Sequence, residues 1–175
     1  MFRLLVIIAV ISFAYVAALE MLGLPVQYGD LMPAPVKSFM TGFTERDQAT
    51  LRQFYQNYHN YKSREEADAA LREMSPELAA KIQQLQSYFL EKEASLGPEA
   101  RAFYDQMDRI TSKSRAQIYS GLRPSPAELK KADLEVMKLY RAMSATGKAD
   151  FTKNFPVLAM YYSNDKIYQQ LQSTN

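Results

Sequence analysis

Residues 75–110, SPELAAKIQQLQSYFLEKEASLGPEARAFYDQMDRI, decide the fold class of this chain. Leu78, Ile82, Leu85 and Phe89 follow one another at intervals of four, three and four residues, which places them on one face of a helix. Glutamine and lysine occupy the remaining directions, so the helix has one side to bury. The pattern predicts a long amphipathic helix over about 76–95.

A second long helix follows directly. Gly97 and Pro98 stand side by side, and this pair is typical of a helix end followed by a new helix start. Behind the proline, Phe103, Met107 and Ile110 repeat the helical spacing. We therefore expect a second helix over about 98–120, joined to the first by a tight turn and antiparallel to it.

Capping signals divide the rest of the chain into shorter helices. Thr44, Ser63 and Ser125 each precede an acidic residue by three positions, as in a capping box, and Pro126 suits the first position of a helix. No stretch alternates as a strand would. These signals predict an all-α fold, a single irregular helical domain of about eight to ten helices, two of them long. The shorter helices are expected at about 34–41, 45–59, 64–74, 126–143, 146–154, 156–162 and 164–172.

The first 18 residues differ from the others. Arg3 precedes an apolar run that ends in the small residues Val16, Ala17 and Ala18. This order is typical of a secretory signal peptide cleaved after Ala18, and the competing interpretation is a membrane anchor. We expect a signal peptide over 1–18, a helical domain over 19–175 and secretion of the mature protein.

Composition excludes several classes of protein. The 21 basic and 19 acidic residues nearly balance, so no nucleic acid partner is expected. The chain has no cysteine and one histidine, His59, so it lacks the ligands of a usual zinc site and the residues of a Cys-His enzyme. We expect no catalytic residue, no metal and no cofactor, and we interpret the acidic pairs Asp105/Asp108 and Glu91/Glu93 as solvated helix faces.

The stretch 155–162, FPVLAMYY, carries no charge. Pro156 can open a short helix there, and a helix that is apolar in nearly every direction must be enclosed on more than one side. Three interpretations remain open: ordinary core, a surface for a partner, or the wall of a cavity. In the last case Phe155 and Leu158 are expected to face a ligand and the tyrosines to lie nearer water.

The order of segments resembles a known family. The stretches SREEADAALREMSPELAAKIQQLQSYFLEKEASLGPEARAF, PSPAELKKADLEVMKLYRAMS and FTKNFPVLAMYYSNDKIYQQL are similar, in order and spacing, to the nematode fatty acid- and retinol-binding proteins. The resemblance runs from about residue 29 to residue 171. It implies a secreted, non-enzymatic, monomeric carrier with an apolar cavity for fatty acids and retinol, which contacts membranes transiently during lipid exchange.

Within that resemblance, the inward positions of the helices are the candidate cavity wall. They are Phe54, Leu71, Ile82, Leu85, Phe89, Phe103, Met107, Ile110, Ile118, Val136, Leu139, Tyr140, Phe155 and Leu158. For each position the competing interpretation is ordinary core. The candidate contacts for a fatty acid carboxylate are Arg101, Arg109, Arg115 and Tyr104.

Three other functions compete with a lipid carrier. The first is a secreted module with a solid core that presents helical faces to another protein. The second is a protein whose apolar helix faces insert into membranes. The third is a hydrolase, which would have to rest on His59.

Overall fold

The computed structural model describes residues 33–119 and 124–173, and within these ranges all regular structure is helical. The predicted signal peptide and its boundary with the domain lie outside them. The described helices are α1 (Ala34–Thr41), α2 (Glu45–Gln56), a single 3-10 turn (Tyr58–Asn60), α3 (Arg64–Met74), α4 (Pro76–Ala94), α5 (Pro98–Tyr119), α6 (Pro126–Ala142), α7 (Ala145–Asn154), α8 (Pro156–Ser163) and α9 (Asp165–Ser173). The predicted all-α class and the two long helices are confirmed.

The helix starts follow the capping signals. Thr44 and Ser125 form complete capping boxes with Asp47 and Glu128, in which each side chain bonds the backbone N–H of the other residue. At Ser63 the box is altered. The Ser63 hydroxyl accepts from the N–H of Glu66, whereas the Glu66 carboxylate accepts from the N–H of Lys62 at 2.9 Å.

The helix bounds agree with the prediction to within one residue except at the end of α2, and two of the differences have a visible cause. The helix expected over 45–59 ends at Gln56, because Asn57 turns its side chain back and donates to the carbonyl of Gln53 at 3.0 Å. The helix expected from 146 begins at Ala145, because the Ser144 hydroxyl accepts from the N–H of Gly147 at 3.1 Å and so caps the helix.

The described helices form two compact groups. The first group comprises residues 33–90 with 117–119, and its core is apolar. Lys81 of α4 joins three parts of this group, since its ammonium donates to Gly42 O at 3.0 Å and to Asp47 Oδ2 at 3.1 Å and also pairs with Glu77 at 3.0 Å. Burial raises the pKa of Asp47, but hydrogen bonds from Thr44 and Lys81 and the charge of Lys81 lower it more, so the pKa lies below its usual value.

The second group comprises residues 91–116 with 124–173. In it α8 packs against both α6 and α7, and α9 packs against α6. The buried residues include several aromatic rings, and Phe151 and Met137 have no exposed surface. The apolar stretch FPVLAMYY thus lies on a helix that has protein on two sides, as its composition predicts.

The turn between α4 and α5 is held by hydrogen bonds to α7, which lies about 50 residues further along the chain. The backbone N–H of Gly97 donates to Asp150 Oδ2 of α7 at 2.7 Å, and the Ser95 hydroxyl donates to Asn154 Oδ1 at 3.2 Å. Arg101 reaches back across the turn to Glu93 at 2.8 Å. The tight turn after Ala94 is therefore stabilised both within the turn and by α7.

Candidate functional site

Most of the predicted wall positions are buried. The buried ones are Phe54, Leu71, Ile82, Leu85, Phe89, Phe103, Met107, Val136, Tyr140 and Phe155. Ile110, Leu139 and Leu158 are partly exposed, and the side chain of Ile118 lies outside the described residues. Burial is what a cavity wall and an ordinary core have in common, so the wall assignment stays a prediction.

Phe103 belongs to an aromatic cluster in the second group. Its ring centroid lies 4.8 Å from Phe151, 5.6 Å from Tyr140 and 5.9 Å from Tyr162, all with the rings edge to face. Rings at these distances and angles are in favourable contact. These four buried rings therefore pack against one another in the core of this group.

Tyr104 and Phe155 continue this cluster. Tyr104 stacks on Phe155 with the centroids 5.2 Å apart, and Phe155 stacks on Phe151 at 5.3 Å. Tyr104 is 2% exposed, so this candidate carboxylate contact is a core residue. The expectation that the tyrosines of FPVLAMYY lie nearer water than Phe155 and Leu158 is wrong for Tyr162, which is buried while Leu158 is partly exposed.

A second aromatic cluster surrounds Phe54 in the first group. The Tyr61 ring stacks on Phe54 with the centroids 5.5 Å apart. The centroids of Tyr55 and Tyr58 lie 5.4 and 5.6 Å from that of Phe54, with the rings edge to face. Sequence reasoning selected Phe54 alone. The spacing of tyrosines at 55, 58 and 61 carried the signal, because residues three apart share one side of a helical turn.

The candidate carboxylate contacts differ in their availability. The Arg101 guanidinium pairs with Glu93 at 2.8 Å and Asp105 at 3.5 Å, so its charge is already balanced by protein carboxylates. Arg109 is exposed, and its Nε donates to Asp105 O of its own helix at 3.2 Å. The side chain of Arg115 lies outside the described residues.

The interpretation of the acidic pairs as solvated faces is wrong for one member of each pair. Glu93 is 7% exposed and Asp108 is 3% exposed. Glu93 is buried beneath Arg101, whose charge compensates the loss of water. Helical spacing alone did not reveal this, since the compensating arginine lies across a turn of the chain.

Sequence reasoning also missed a polar pair on facing helices. The Tyr161 hydroxyl of α8 donates to Asp133 Oδ2 of α6 at 3.2 Å. Burial raises the pKa of Asp133 despite the hydrogen bond from Tyr161, and burial, together with the Asp133 charge, also raises the pKa of Tyr161. Both side chains nevertheless keep part of their surface exposed.

The geometry offers little for catalysis or metal binding within the described ranges. His59 lies in the 3-10 turn after α2, and its side chain is not among those that the structure describes. Across residues 33–119 and 124–173, no group of three or more histidine or acidic side chains is placed to hold a metal ion. In the same ranges no helix is both long and apolar enough to cross a membrane.

Comparison with known proteins identifies the family. The sequence model of the nematode fatty acid retinoid binding protein family (Gp-FAR-1) matches residues 26–174. Fatty-acid and retinol-binding protein 2 of Caenorhabditis elegans is 31% identical over 144 residues, which are 82% of this chain and 79% of that protein. Fatty-acid and retinol-binding protein 1 of Brugia malayi is 25% identical over 170 residues, 95% of this chain and 94% of that one.

A solved structure agrees with these relatives. The fatty acid and retinol binding protein Na-FAR-1 from Necator americanus superimposes with a TM-score of 0.62 at 38% identity, covering 86% of this chain and 96% of that one. The family and these relatives are named for binding, which supports the prediction that this chain is not an enzyme. With its sequence matched from residue 26 to residue 174 and its all-helical fold shared, this chain belongs to the nematode fatty acid retinoid binding protein family.

Proposed function

We propose that this protein is a secreted, non-enzymatic carrier that binds long-chain fatty acids and retinol in an internal apolar cavity. The observation that carries the proposal is membership of a family whose relatives are named for these two ligands. The predominantly apolar interior of both helical groups is in keeping with a ligand that is itself mostly hydrocarbon. The protein acts as a monomer that touches membranes transiently to exchange lipid.

The energetics of such a ligand favour an apolar wall over specific polar contacts. Each buried methylene contributes about 0.8 kcal/mol, so about fifteen of them contribute on the order of 12 kcal/mol. Association costs roughly 4 to 15 kcal/mol, and a charge-assisted contact returns about 1.5 to 3 kcal/mol. The acyl tail therefore supplies most of the affinity.

Of the candidate head-group contacts we retain Arg109. It is exposed and, among the described residues, has no acidic side chain paired with it. A ligand carboxylate at Arg101 would instead compete with Glu93, which already holds that guanidinium at 2.8 Å. A carboxylate that remains in water needs no protein contact at all.

A fluorescence titration tests binding. A fatty acid that carries an environment-sensitive fluorophore should brighten and shift to shorter wavelength when mixed with the recombinant protein, residues 19–175. Oleate or retinol should reverse the change by displacing the probe. No signal at micromolar protein would overturn the proposal.

Dye-loaded vesicles mixed with the same protein should stay intact, and leakage would favour the membrane-inserting alternative instead.

A pair of variants separates a cavity from a solid core. Ile82→Phe adds volume at a predicted wall position, and Leu78→Phe adds it on the same face of α4 at a buried position outside the predicted wall. If Ile82 lines a cavity, its variant should bind the probe more weakly with little loss of stability. The Leu78→Phe variant should lose about 1 to 3 kcal/mol of its free energy of unfolding, because the larger side chain overpacks the core. Equal destabilisation by both, with probe binding unchanged, would favour the interaction module with a solid core.

Secretion is tested separately. Expression of the full 175-residue chain in a eukaryotic secretory host should release protein whose N-terminus begins at Leu19. Retention of the uncleaved chain in the membrane fraction would favour the anchor interpretation of residues 1–18.

A further inference from the structure

Residues 48–64 combine aromatic and basic side chains and contain no acidic one. This stretch, QATLRQFYQNYHNYKSR, has three basic residues, Arg52, Lys62 and Arg64, and four aromatic residues. It covers most of α2, the 3-10 turn and the connection to the first residue of α3. Since the chain as a whole has 21 basic and 19 acidic residues, the stretch is a local excess of positive charge.

The tyrosines of this stretch share one surface. Tyr55, Tyr58 and Tyr61 are partly exposed, whereas Phe54, which all three rings contact, is 1% exposed. The ring centroid of Tyr58 lies 6.4 Å from that of Tyr55 and 6.2 Å from that of Tyr61. We call these three residues the tyrosine patch. Because its rings pack on a buried phenylalanine, the patch is already formed in the folded protein.

Basic side chains border the tyrosine patch. Arg52 precedes Tyr55 by three positions on α2, so the two side chains are neighbours on the helix surface, and Lys62 directly follows Tyr61. Both basic residues are exposed. The patch thus presents phenol rings and positive charge together.

Two acidic side chains beside the stretch are engaged by the protein itself. The Asp47 carboxylate pairs with the Lys81 ammonium at 3.1 Å. The Glu66 carboxylate accepts from the backbone N–H of Lys62 at 2.9 Å. Glu45, which is exposed, stands seven residues before Arg52, or roughly 10 Å along the helix. The positive charge of Arg52 is therefore not cancelled within its own part of α2.

This combination of side chains matches the surface of a negatively charged lipid bilayer. Tyrosine is enriched at the boundary between lipid and water, because its ring is apolar and its hydroxyl remains hydrated. Lysine and arginine are attracted to anionic lipid head groups. A fatty acid in a bilayer keeps its ionised carboxylate at the water boundary, so a membrane that holds such cargo is itself negatively charged.

We propose that the tyrosine patch, bordered by Arg52 and Lys62, is the surface by which this protein docks on negatively charged bilayers. The proposal rests on the proposed carrier function and names the surface for its contact with membranes. The tyrosine rings lie at the level of the lipid head groups, and the two basic side chains lie beside lipid phosphates or carboxylates. Docking needs no refolding, because the rings already share one surface.

Sedimentation with lipid vesicles tests the charge preference. The protein, residues 19–175, should bind vesicles of phosphatidylcholine with phosphatidylglycerol more tightly than vesicles of phosphatidylcholine alone, and added salt should weaken this binding. The double variant Arg52→Gln/Lys62→Gln should bind the anionic vesicles about 25-fold more weakly, since each basic residue near such a surface contributes about fivefold. Equal binding of the unaltered protein to both kinds of vesicle, or binding to neither, would overturn the proposal.

The matched control is Lys138→Gln/Lys153→Gln. Both lysines are exposed in the second helical group, and their replacement removes the same charge. This variant should bind the anionic vesicles as the unaltered protein does. An equal loss in both double variants would mean that net charge governs binding, and it would overturn the docking surface. The titration with the tagged fatty acid, done without vesicles, tests the carrier function separately. Binding of that probe without binding to vesicles would overturn the docking surface alone.

A single tryptophan locates the contact, because the chain has none of its own. Tyr58→Trp places it in the tyrosine patch, and its fluorescence should shift to shorter wavelength with anionic vesicles and be quenched by brominated lipid within them. Tyr168→Trp places it at a partly exposed position of α9, where it should not be quenched. Equal quenching of both variants, or quenching of Tyr168→Trp alone, would overturn the proposal. Circular dichroism verifies that the helices of each variant have formed.

Discussion

At the residue scale, the lack of a side chain at Gly147 makes room for a contact at the start of α7. It lies in the first turn of α7, and a Cβ atom at this position would overlap the carboxylate of Glu99. That carboxylate accepts from the N–H of Ser144 at 2.8 Å and from the Ser144 hydroxyl, and these bonds lower the pKa of Glu99. The absence of a Cβ at Gly147 leaves room for the Glu99 carboxylate at the cap, and a larger residue would force that carboxylate to move.

Replacement of Gly147 by alanine should therefore have an effect whose sign depends on Glu99. Alanine in place of glycine within a helix normally stabilises by about 0.5 to 1 kcal/mol. Here we expect Gly147→Ala to lower the melting temperature, because it displaces Glu99 from Ser144. In a Glu99→Ala background the same substitution should raise the melting temperature. Thermal unfolding of the four proteins measures this, and strictly additive effects would contradict it.

Asp133 should make stability depend on pH. Burial raises the pKa of Asp133 in the folded protein above the ordinary value of 3.8. At pH values between the unfolded and the folded pKa, the folded protein therefore keeps a proton on Asp133 that the unfolded chain has released. Stability contributed by this group therefore falls as pH rises from the unfolded to the folded pKa, and stays lower above it. Relative to the unaltered protein, Asp133→Asn should be more stable at about pH 8 than at about pH 3.5.

Melting temperatures of the unaltered protein and Asp133→Asn across this pH range measure the difference. Glu135→Gln serves as the control, because its carboxylate is exposed on the same helix. Tyr161 is the titratable group in contact with Asp133, and its own pKa is raised well above this range, so it stays neutral throughout. A difference between the two proteins that does not change with pH would show that Asp133 titrates as in the unfolded chain.

At the scale of elements, α9 depends on one residue of α6. The Arg141 guanidinium pairs with Asp165 at 2.8 Å, donates to Ser163 O at 3.4 Å and lies 4.2 Å above the ring of Tyr168. Ile167 is the buried side chain of α9. A short helix with so little buried apolar surface has low stability of its own, so its attachment depends strongly on Arg141.

Arg141→Gln should loosen α9 alone. Loss of the charged hydrogen bonds and of the contact with Tyr168 should speed amide hydrogen exchange in residues 165–173 by about tenfold. Exchange in α4 and α5 should not change. Lys138→Gln, which removes an exposed charge from the same helix, is the control and should leave α9 protected. Equal acceleration throughout the second group would mean that Arg141 supports the whole group.

At the scale of the whole molecule, a carrier should be stabilised by its cargo. A ligand that binds only the folded state at a free concentration of about 100 times its dissociation constant adds about 2.7 kcal/mol to the free energy of unfolding. Oleate should therefore raise the melting temperature. Hexanoate has the same carboxylate and a short tail, so it should have little effect at equal concentration. Equal shifts from both acids would point to the head group as the source of affinity.

The sequence by itself determined the helical class and most helix bounds, because both arise from local physics. Apolar residues at helical spacing, serine and threonine caps, and prolines at first positions act within a few residues of the chain. The two long helices and the short helix of FPVLAMYY follow from such signals. The order of the same segments, taken together, also indicated the family, which the match over residues 26–174 confirms.

Tertiary structure decided which polar groups are buried and what each one meets. Arg101 over Glu93, Asp150 on Gly97 and Tyr161 on Asp133 each join atoms that are separated along the chain, and no local pattern encodes such contacts. The same holds for the aromatic rings of Phe103 and Phe155, which helical spacing marked as inward and the structure packed against other rings. The spacing of residues predicts the direction in which a side chain points. Only the folded chain brings up the partner, and that partner determines whether the side chain packs in the core, caps a helix or belongs to a site.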